Sequence, residues 1–184
     1  MDFDKIVERK NTDCLKYDAA TRRGYPADIL PLWVADMDFP TAFPVLKALR
    51  RRFKHEINGA GYSQLNTLGL AACEAAYRDG RPWLEELKSY LQGNIAFTQD
   101  FLKRNLPQVK LAEPEGTYLL WLDFRGLGLT GASLDRLIVD QAGLWLDSGA
   151  IFGHAGEGFQ RINIACPRAV LAEALERIAR AVYR

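Results

Sequence analysis

Apolar residues recur every three or four positions in several stretches of the chain, which is the spacing of one face of an α-helix. The predicted helices cover residues 41–58, 66–79, 82–107, 133–143 and 167–183. Thr41 and Ser133 are the predicted N-caps of two of them, and Gly93 is a weak point within the longest. Residues 1–30 lack this period and are polar and irregular, so we expect an arm that lies over another part of the protein.

Shorter runs of apolar, β-branched and aromatic residues predict the strands. These runs are residues 32–37 (LWVADM), 109–111, 117–124 (TYLLWLDF), 144–146 and the start of residues 159–168 (FQRINIACPR). In the C-terminal half the order is strand, helix, strand, strand, helix. We therefore expect an α/β (α+β) fold, in which a small mixed sheet has helices packed on one of its faces.

Arg161 is the most unusual residue of the predicted strands. Alternation along residues 159–168 places Ile162 and Ile164 on one face, and Arg161 and Asn163 on the other. A guanidinium in an otherwise apolar strand is costly to desolvate unless an anion pairs with it, and its planar fork fits a carboxylate bidentately. The alternative is an arginine at a sheet edge that reaches water or an internal Asp or Glu. Both interpretations stay open at this point.

Composition and charge describe an ordinary globular protein of 184 residues, with 48% hydrophobic and 26% charged residues. The net charge of +1 gives no reason to expect nucleic acid or an acidic membrane as a partner. We see neither a leader nor an apolar run that could span a bilayer, so the expected location is cytoplasmic. Cys14, Cys73 and Cys166 are odd in number and far apart, which favours reduced thiols over a disulfide framework or a zinc site.

Other candidate chemistry is sparse. His55 and His154 are the only histidines and have no His or Cys partner at ligand spacing, so we expect no metal site. Asp36 and Asp38 lie two residues apart, and either do acid–base work or cap a turn at the end of a strand. Four glycines surround His154 and suggest a phosphate cradle, but the segment runs into a strand instead of a helix, which favours turn chemistry.

Five segments together carry a resemblance to a known family. They are residues 31–40 (PLWVADMDFP), 61–63 (GYS), 68–77 (LGLAACEAAY), 114–125 (PEGTYLLWLDFR) and 156–168 (GEGFQRINIACPR). In this order they resemble the cystathionine β-lyase-like, or MalY/PatB-like, branch of fold-type I pyridoxal phosphate (PLP) enzymes. The resemblance implies a carbon–sulfur lyase or aminotransferase-like protein that acts on an amino acid or thioether amino acid and forms a homo-oligomer, typically a homodimer.

The chain departs from this family between residues 63 and 68. In the family a large PLP-binding domain stands there and supplies the Schiff-base lysine and most of the phosphate cup. Here GYS is joined almost directly to NTLGLAA. The resemblance thus implies three parts: residues 1–58 as the arm, strand and helix of the small domain, residues 59–66 as the junction where the large domain is missing, and residues 67–184 as the rest of the small domain.

The residues that match the family's site are few. Arg161 matches the arginine that binds the substrate α-carboxylate, and Ala35 matches a backbone position that lines the same pocket. Tyr62 matches a tyrosine that reaches the cofactor phosphate, typically of the neighbouring subunit. None of the lysines stands in the family's Ser-x-x-Lys context, so we predict no catalytic residue.

Two functions follow from this partial match. In the first, the chain does not bind PLP and is catalytically inactive on its own. In the second, it is a self-associating interaction module, either a homodimer or a dimer that is swapped through residues 59–66.

Overall fold

The computed structural model describes residues 2–53, 67–129 and 131–184. These residues form two compact units, the larger comprising residues 3–39, 91–129 and 131–184 and the smaller comprising Asp2 and residues 40–53 and 67–90. The predicted junction at residues 59–66 lies outside the described residues, and the three-part division remains a prediction.

The regular elements are short, apart from four helices. The helices are α1 (Leu15–Asp18), α2 (Phe43–Phe53), α3 (Thr67–Asp79), α4 (Arg81–Asn105), α5 (Gly131–Arg136) and α6 (Arg168–Val182). The strands are β1 (Leu30–Pro31), β2 (Lys110–Leu111), β3 (Leu119–Asp123), β4 (Leu144–Trp145), β5 (Asp147–Ser148) and β6 (Phe159–Asn163). Single turns of 3₁₀ helix lie at Thr21–Arg23, Arg125–Leu127, Gly149–Phe152 and His154–Gly156, and a π-helical turn lies at Leu137–Gln141. No helix in the described part of the chain is long and apolar enough to cross a membrane.

The helix predictions are confirmed for the long helices. α3 ends at Asp79, α4 continues through Gly93, and α6 begins directly after Pro167. The predicted end of α2 near residue 58 lies outside the described residues.

Both predicted N-caps are wrong. The Ala42 carbonyl accepts the first α2 hydrogen bonds, from the amides of Val45 and Leu46, so Thr41 lies one residue too early. Ser133 lies inside α5, which begins at Gly131.

The described strands form one antiparallel sheet and one small parallel sheet. A four-stranded antiparallel sheet has the order β2-β3-β6-β5, and β1 pairs with β4 in parallel. The predicted strand at residues 32–37 is wrong, because the ladder ends at Pro31. The backbone carbonyls of Val34 and Asp36 instead accept hydrogen bonds from the side chain of Asn163.

The core of the larger unit lies between the sheet and its helices. Leu120 of β3 lies directly opposite Ile162 of β6, and both side chains are buried. Leu171 and Ile178 of α6 belong to the same cluster, as do residues of α4 and α5. Because side chains alternate along a strand, the burial of Ile162 turns Arg161 to the opposite face of the sheet. The predicted fold class, a small mixed sheet with packed helices, is confirmed.

Candidate functional site

Arg161 lies in the middle of β6, between two paired strands. Its register partner on β5 is Asp147, and its register partner on β3 is Trp121. Residues directly opposite each other in an antiparallel pair have their side chains on the same face and within contact distance. The strand register therefore brings a carboxylate and an indole to the guanidinium from opposite sides.

The Arg161 guanidinium is paired with the carboxylate of this chain's own Asp147. Its Nη2 donates hydrogen bonds to Oδ2 of Asp147 and to the backbone carbonyl of Trp33, the second at 3.3 Å. The side chains of Arg161 and Asp147 are only 19% and 12% exposed. The centre of the Phe152 ring lies 4.8 Å from the guanidinium carbon, in cation–π geometry. An internal aspartate is thus the partner of Arg161, as the alternative interpretation allowed. The sheet-edge position of that interpretation is wrong, because β6 is paired on both sides.

Two features show that this ion pair is incomplete. Nε of Arg161 is buried and has no hydrogen-bond partner among the described residues. Burial raises the pKa of the Asp147 carboxyl above its ordinary value, although the charge and hydrogen bond of Arg161 act in the opposite direction. Asp147 therefore engages the guanidinium through one nitrogen only and is itself poorly solvated.

The segment around Ala35 is fixed to the same strand. Nδ2 of Asn163 donates to the carbonyls of Val34 at 2.7 Å and Asp36 at 3.0 Å, one on each side of Ala35. Asn163 is two residues from Arg161, so the two side chains share a face of β6. The structure thus attaches both predicted substrate-binding residues to one face of the sheet. Their role toward a substrate remains a prediction, and Tyr62 lies outside the described residues.

The glycine-rich loop serves close backbone packing. A Cβ added at Gly149 would lie 2.1 Å from the carbonyl oxygen of Gly156, a distance that no side chain tolerates. Gly153 and Gly158 have φ angles of 115° and 81°, which L-residues rarely adopt. Geometry of this kind is typical of turns, in agreement with the turn interpretation of this segment.

A second group of charges, the arm ion-pair cluster (Arg9, Lys16, Asp36 and Asp38), lies in the same unit. Nζ of Lys16 donates to Oδ2 of Asp38 at 2.7 Å and to the Asp36 carbonyl at 2.9 Å. Arg9 bonds Oδ1 of Asp38 at 2.9 Å and Oδ2 of Asp36 at 2.7 Å. Both carboxylates are therefore counter-ions that attach the N-terminal arm, and neither the acid–base nor the turn-capping interpretation anticipated this.

The burial of Lys16 is the main feature that the sequence did not reveal. Its side chain is 0% exposed although it lies in a polar arm, because Asp38, 22 residues further on, supplies the opposite charge. The other described lysines are exposed. Schiff-base formation requires a neutral, accessible amine. An ammonium bonded to a carboxylate does not meet that requirement, so Lys16 does not fit covalent attachment of PLP.

The described residues offer little other reactive chemistry. The three cysteines are free, and burial raises the pKa of the Cys166 thiol to about 12, so this group is not a thiolate at neutral pH. Within residues 2–53, 67–129 and 131–184, no group of three or more His, Cys, Asp or Glu is arranged to hold a metal ion.

Comparison with known proteins identifies homologues of this chain. No protein-family model matches the chain. Over 129 residues the chain is 39% identical to the cystathionine β-lyase PatB of Bacillus subtilis (strain 168), a match that covers 70% of this chain and 33% of PatB. Cystalysin from Treponema denticola, whose crystal structure contains PLP, superposes with a TM-score of 0.63 and 36% identity over 73% of this chain and 34% of cystalysin. The chain is homologous to the cystathionine β-lyases.

This homology confirms the resemblance found in the sequence. The chain spans about a third of the length of the cystathionine β-lyase PatB that it matches. The PLP-bound C–S lyase from Staphylococcus hominis aligns over 100% of this chain and 98% of that one, with a TM-score of 0.85 and 17% identity. At that identity the similarity shows the fold alone, which this chain shares with that lyase.

Proposed function

We propose that this chain is the small-domain part of a PLP-dependent carbon–sulfur β-lyase or aminotransferase-like protein, and that it has no catalytic activity on its own. The observation that carries the proposal is the environment of the described lysines. Lys16 is bonded to Asp38, and the other described lysines are exposed to water. In this family PLP supplies the electron sink, so a chain that cannot bind it covalently lacks the reactive group.

Within this proposal, Arg161 and Ala35 are what the chain retains of a pocket for the α-carboxylate of an amino acid or thioether amino acid. Supporting this is the attachment of both residues to one face of β6, described above. Tyr62 has the proposed role of reaching the cofactor phosphate of a neighbouring subunit. A cytoplasmic setting belongs to the same proposal, since three free cysteines fit a reducing compartment.

The test is covalent trapping of PLP. After incubation with PLP and before reduction, we expect no stoichiometric aldimine absorbance band. After reduction with borohydride, we expect only scattered, substoichiometric labelling of exposed lysines by peptide mass spectrometry. The variant Lys16→Met is the matched control, because its labelling pattern should equal that of the wild type if Lys16 does not react. One PLP per chain on a single lysine would refute the proposal.

A second candidate is self-association through the smaller unit. Several large apolar side chains of this unit are exposed, among them Tyr77 at 88% and Phe43 at 64%. A groove of about 670 Å³, lined in part by Phe43, lies between α2 and α3. Exposed apolar surface of this kind favours contact with another protein, and a second copy is the partner that the family's homo-oligomers suggest.

Sedimentation velocity tests the second candidate. We expect the weight-average sedimentation coefficient to rise with protein concentration, and Tyr77→Ser together with Phe43→Ser to shift the association to higher concentration by about tenfold or more. The exposed Tyr183, which belongs to the other unit, provides the control Tyr183→Ser, which should leave the association unchanged. A monomer at all concentrations would exclude this candidate.

A further inference from the structure

The pairing of Arg161 with Asp147 has consequences for any ligand of Arg161. A carboxylate can bond bidentately to a guanidinium along either of two edges, Nε with Nη2 or Nη1 with Nη2. Both edges include Nη2. Because Nη2 donates to Asp147 and to the Trp33 carbonyl, neither edge is available to an incoming carboxylate as long as these bonds remain.

The unpaired Nε shows which edge a ligand would use. Asp147 bonds Nη2 but leaves the buried Nε without a partner, and a buried unpaired donor is unfavourable. A carboxylate bound bidentately along the Nε–Nη2 edge would satisfy both nitrogens. Asp147 is therefore a weaker partner for the guanidinium than a well-placed ligand carboxylate would be, but it is always present.

The residues around the ion pair strengthen the attraction between Asp147 and Arg161. The Phe152 ring covers the guanidinium and contacts Trp121 edge-on, with ring centres 5.2 Å apart. These rings limit water access, and charge–charge attraction increases as water is excluded. A ligand carboxylate must then displace a carboxylate that is attached to the neighbouring strand and lies directly opposite Arg161.

We propose that the Asp147 carboxylate competes with ligand carboxylates for the Arg161 guanidinium. It thereby sets the ligand concentration that is needed for a carboxylate to bind at this site. This inference rests on the carboxylate-binding role proposed above for Arg161 and adds the residue that limits it. The class of ligand is an amino acid carboxylate. Removal of the Asp147 charge opens the Nε–Nη2 edge, whereas removal of Arg161 abolishes binding altogether.

The experiment follows the guanidinium directly. In ¹⁵N-labelled protein, the Nε–Hε signal of Arg161, assigned from its absence in Arg161→Lys, is recorded during titration with L-alanine. We expect no saturable shift in the wild type up to about 100 mM, and a saturable shift in Asp147→Asn with a Kd lower by about tenfold or more. Asp140→Asn removes an exposed carboxylate and the same charge, and should behave like the wild type.

Each outcome is decisive. Wild-type binding as tight as that of Asp147→Asn, and abolished by Arg161→Lys, would overturn the role of Asp147 but keep that of Arg161. No binding by Asp147→Asn would overturn both roles, while the borohydride test of the proposed function stands independently.

Far-UV circular dichroism checks the fold. Should Asp147→Asn not fold, Asp147→Ser takes its place, and a saturable shift in the wild type below about 100 mM would by itself overturn the proposal.

Discussion

Replacement of Asp38 by alanine is expected to lower the free energy of unfolding by about 3–5 kcal/mol. Asp38 is 4% exposed and bonds both Lys16 and Arg9. Its removal leaves the Lys16 ammonium buried without an opposite charge, and an uncompensated buried charge costs far more than the net value of the ion pair. A domain of this size has about 5–15 kcal/mol of stability in total, so a large share would be lost.

Urea denaturation followed by circular dichroism measures this effect. The double variant Lys16→Met/Asp38→Leu should be more stable than Asp38→Ala, because it removes the buried ammonium together with its partner. Asp140→Ala, at an exposed carboxylate, should change stability by less than about 0.5 kcal/mol. A loss below about 1 kcal/mol for Asp38→Ala would show that the arm ion-pair cluster is not needed to stabilise the fold.

Replacement of Trp145 by alanine is expected to cost about 3–5 kcal/mol. The Trp145 side chain is 4% exposed, and its ring stacks on Trp33 with centres 4.3 Å apart and on Tyr25 at 4.4 Å. Its loss leaves a cavity between the N-terminal arm and β4 and also removes both stacking contacts. The same denaturation experiment measures the change.

The exposed Tyr77 supplies the comparison for Trp145. Tyr77→Ala removes an aromatic side chain that is 88% exposed, and should cost less than about 0.5 kcal/mol. Equal losses for the two variants would contradict the packing role of Trp145. Trp145→Phe, which keeps a ring, should recover part of the stability that the alanine variant loses.

Local patterns in the sequence were enough to predict the long helices. α4 and α6 have a three-and-four apolar repeat, and Pro167 directly precedes α6. Such patterns depend only on residues within a few positions of one another, so they can be recognised without knowledge of the tertiary contacts. N-cap positions were predicted less well, because Thr41 and Ser133 are suitable cap residues that the helix starts do not use.

The strand predicted at residues 32–37 does not form because of a tertiary contact. Its apolar residues resemble a strand, but the Asn163 side chain, more than 120 residues away in sequence, bonds the carbonyls of Val34 and Asp36. A ladder partner is then not needed to satisfy them. No local pattern could reveal this, since the competing donor belongs to another strand.

At the candidate site, too, some features follow from the sequence and others depend on the tertiary structure. By itself, the sequence determined that Arg161 lies on the polar face of a strand whose other face enters the core, and it revealed the homology to cystathionine β-lyases. Only the tertiary structure decided that Asp147 is the partner of Arg161 and that Lys16 is buried against Asp38. The physical reason is that alternation follows from neighbouring residues, whereas the partner of a charge is set by strand register and by the packing of an arm, which join residues distant in the chain.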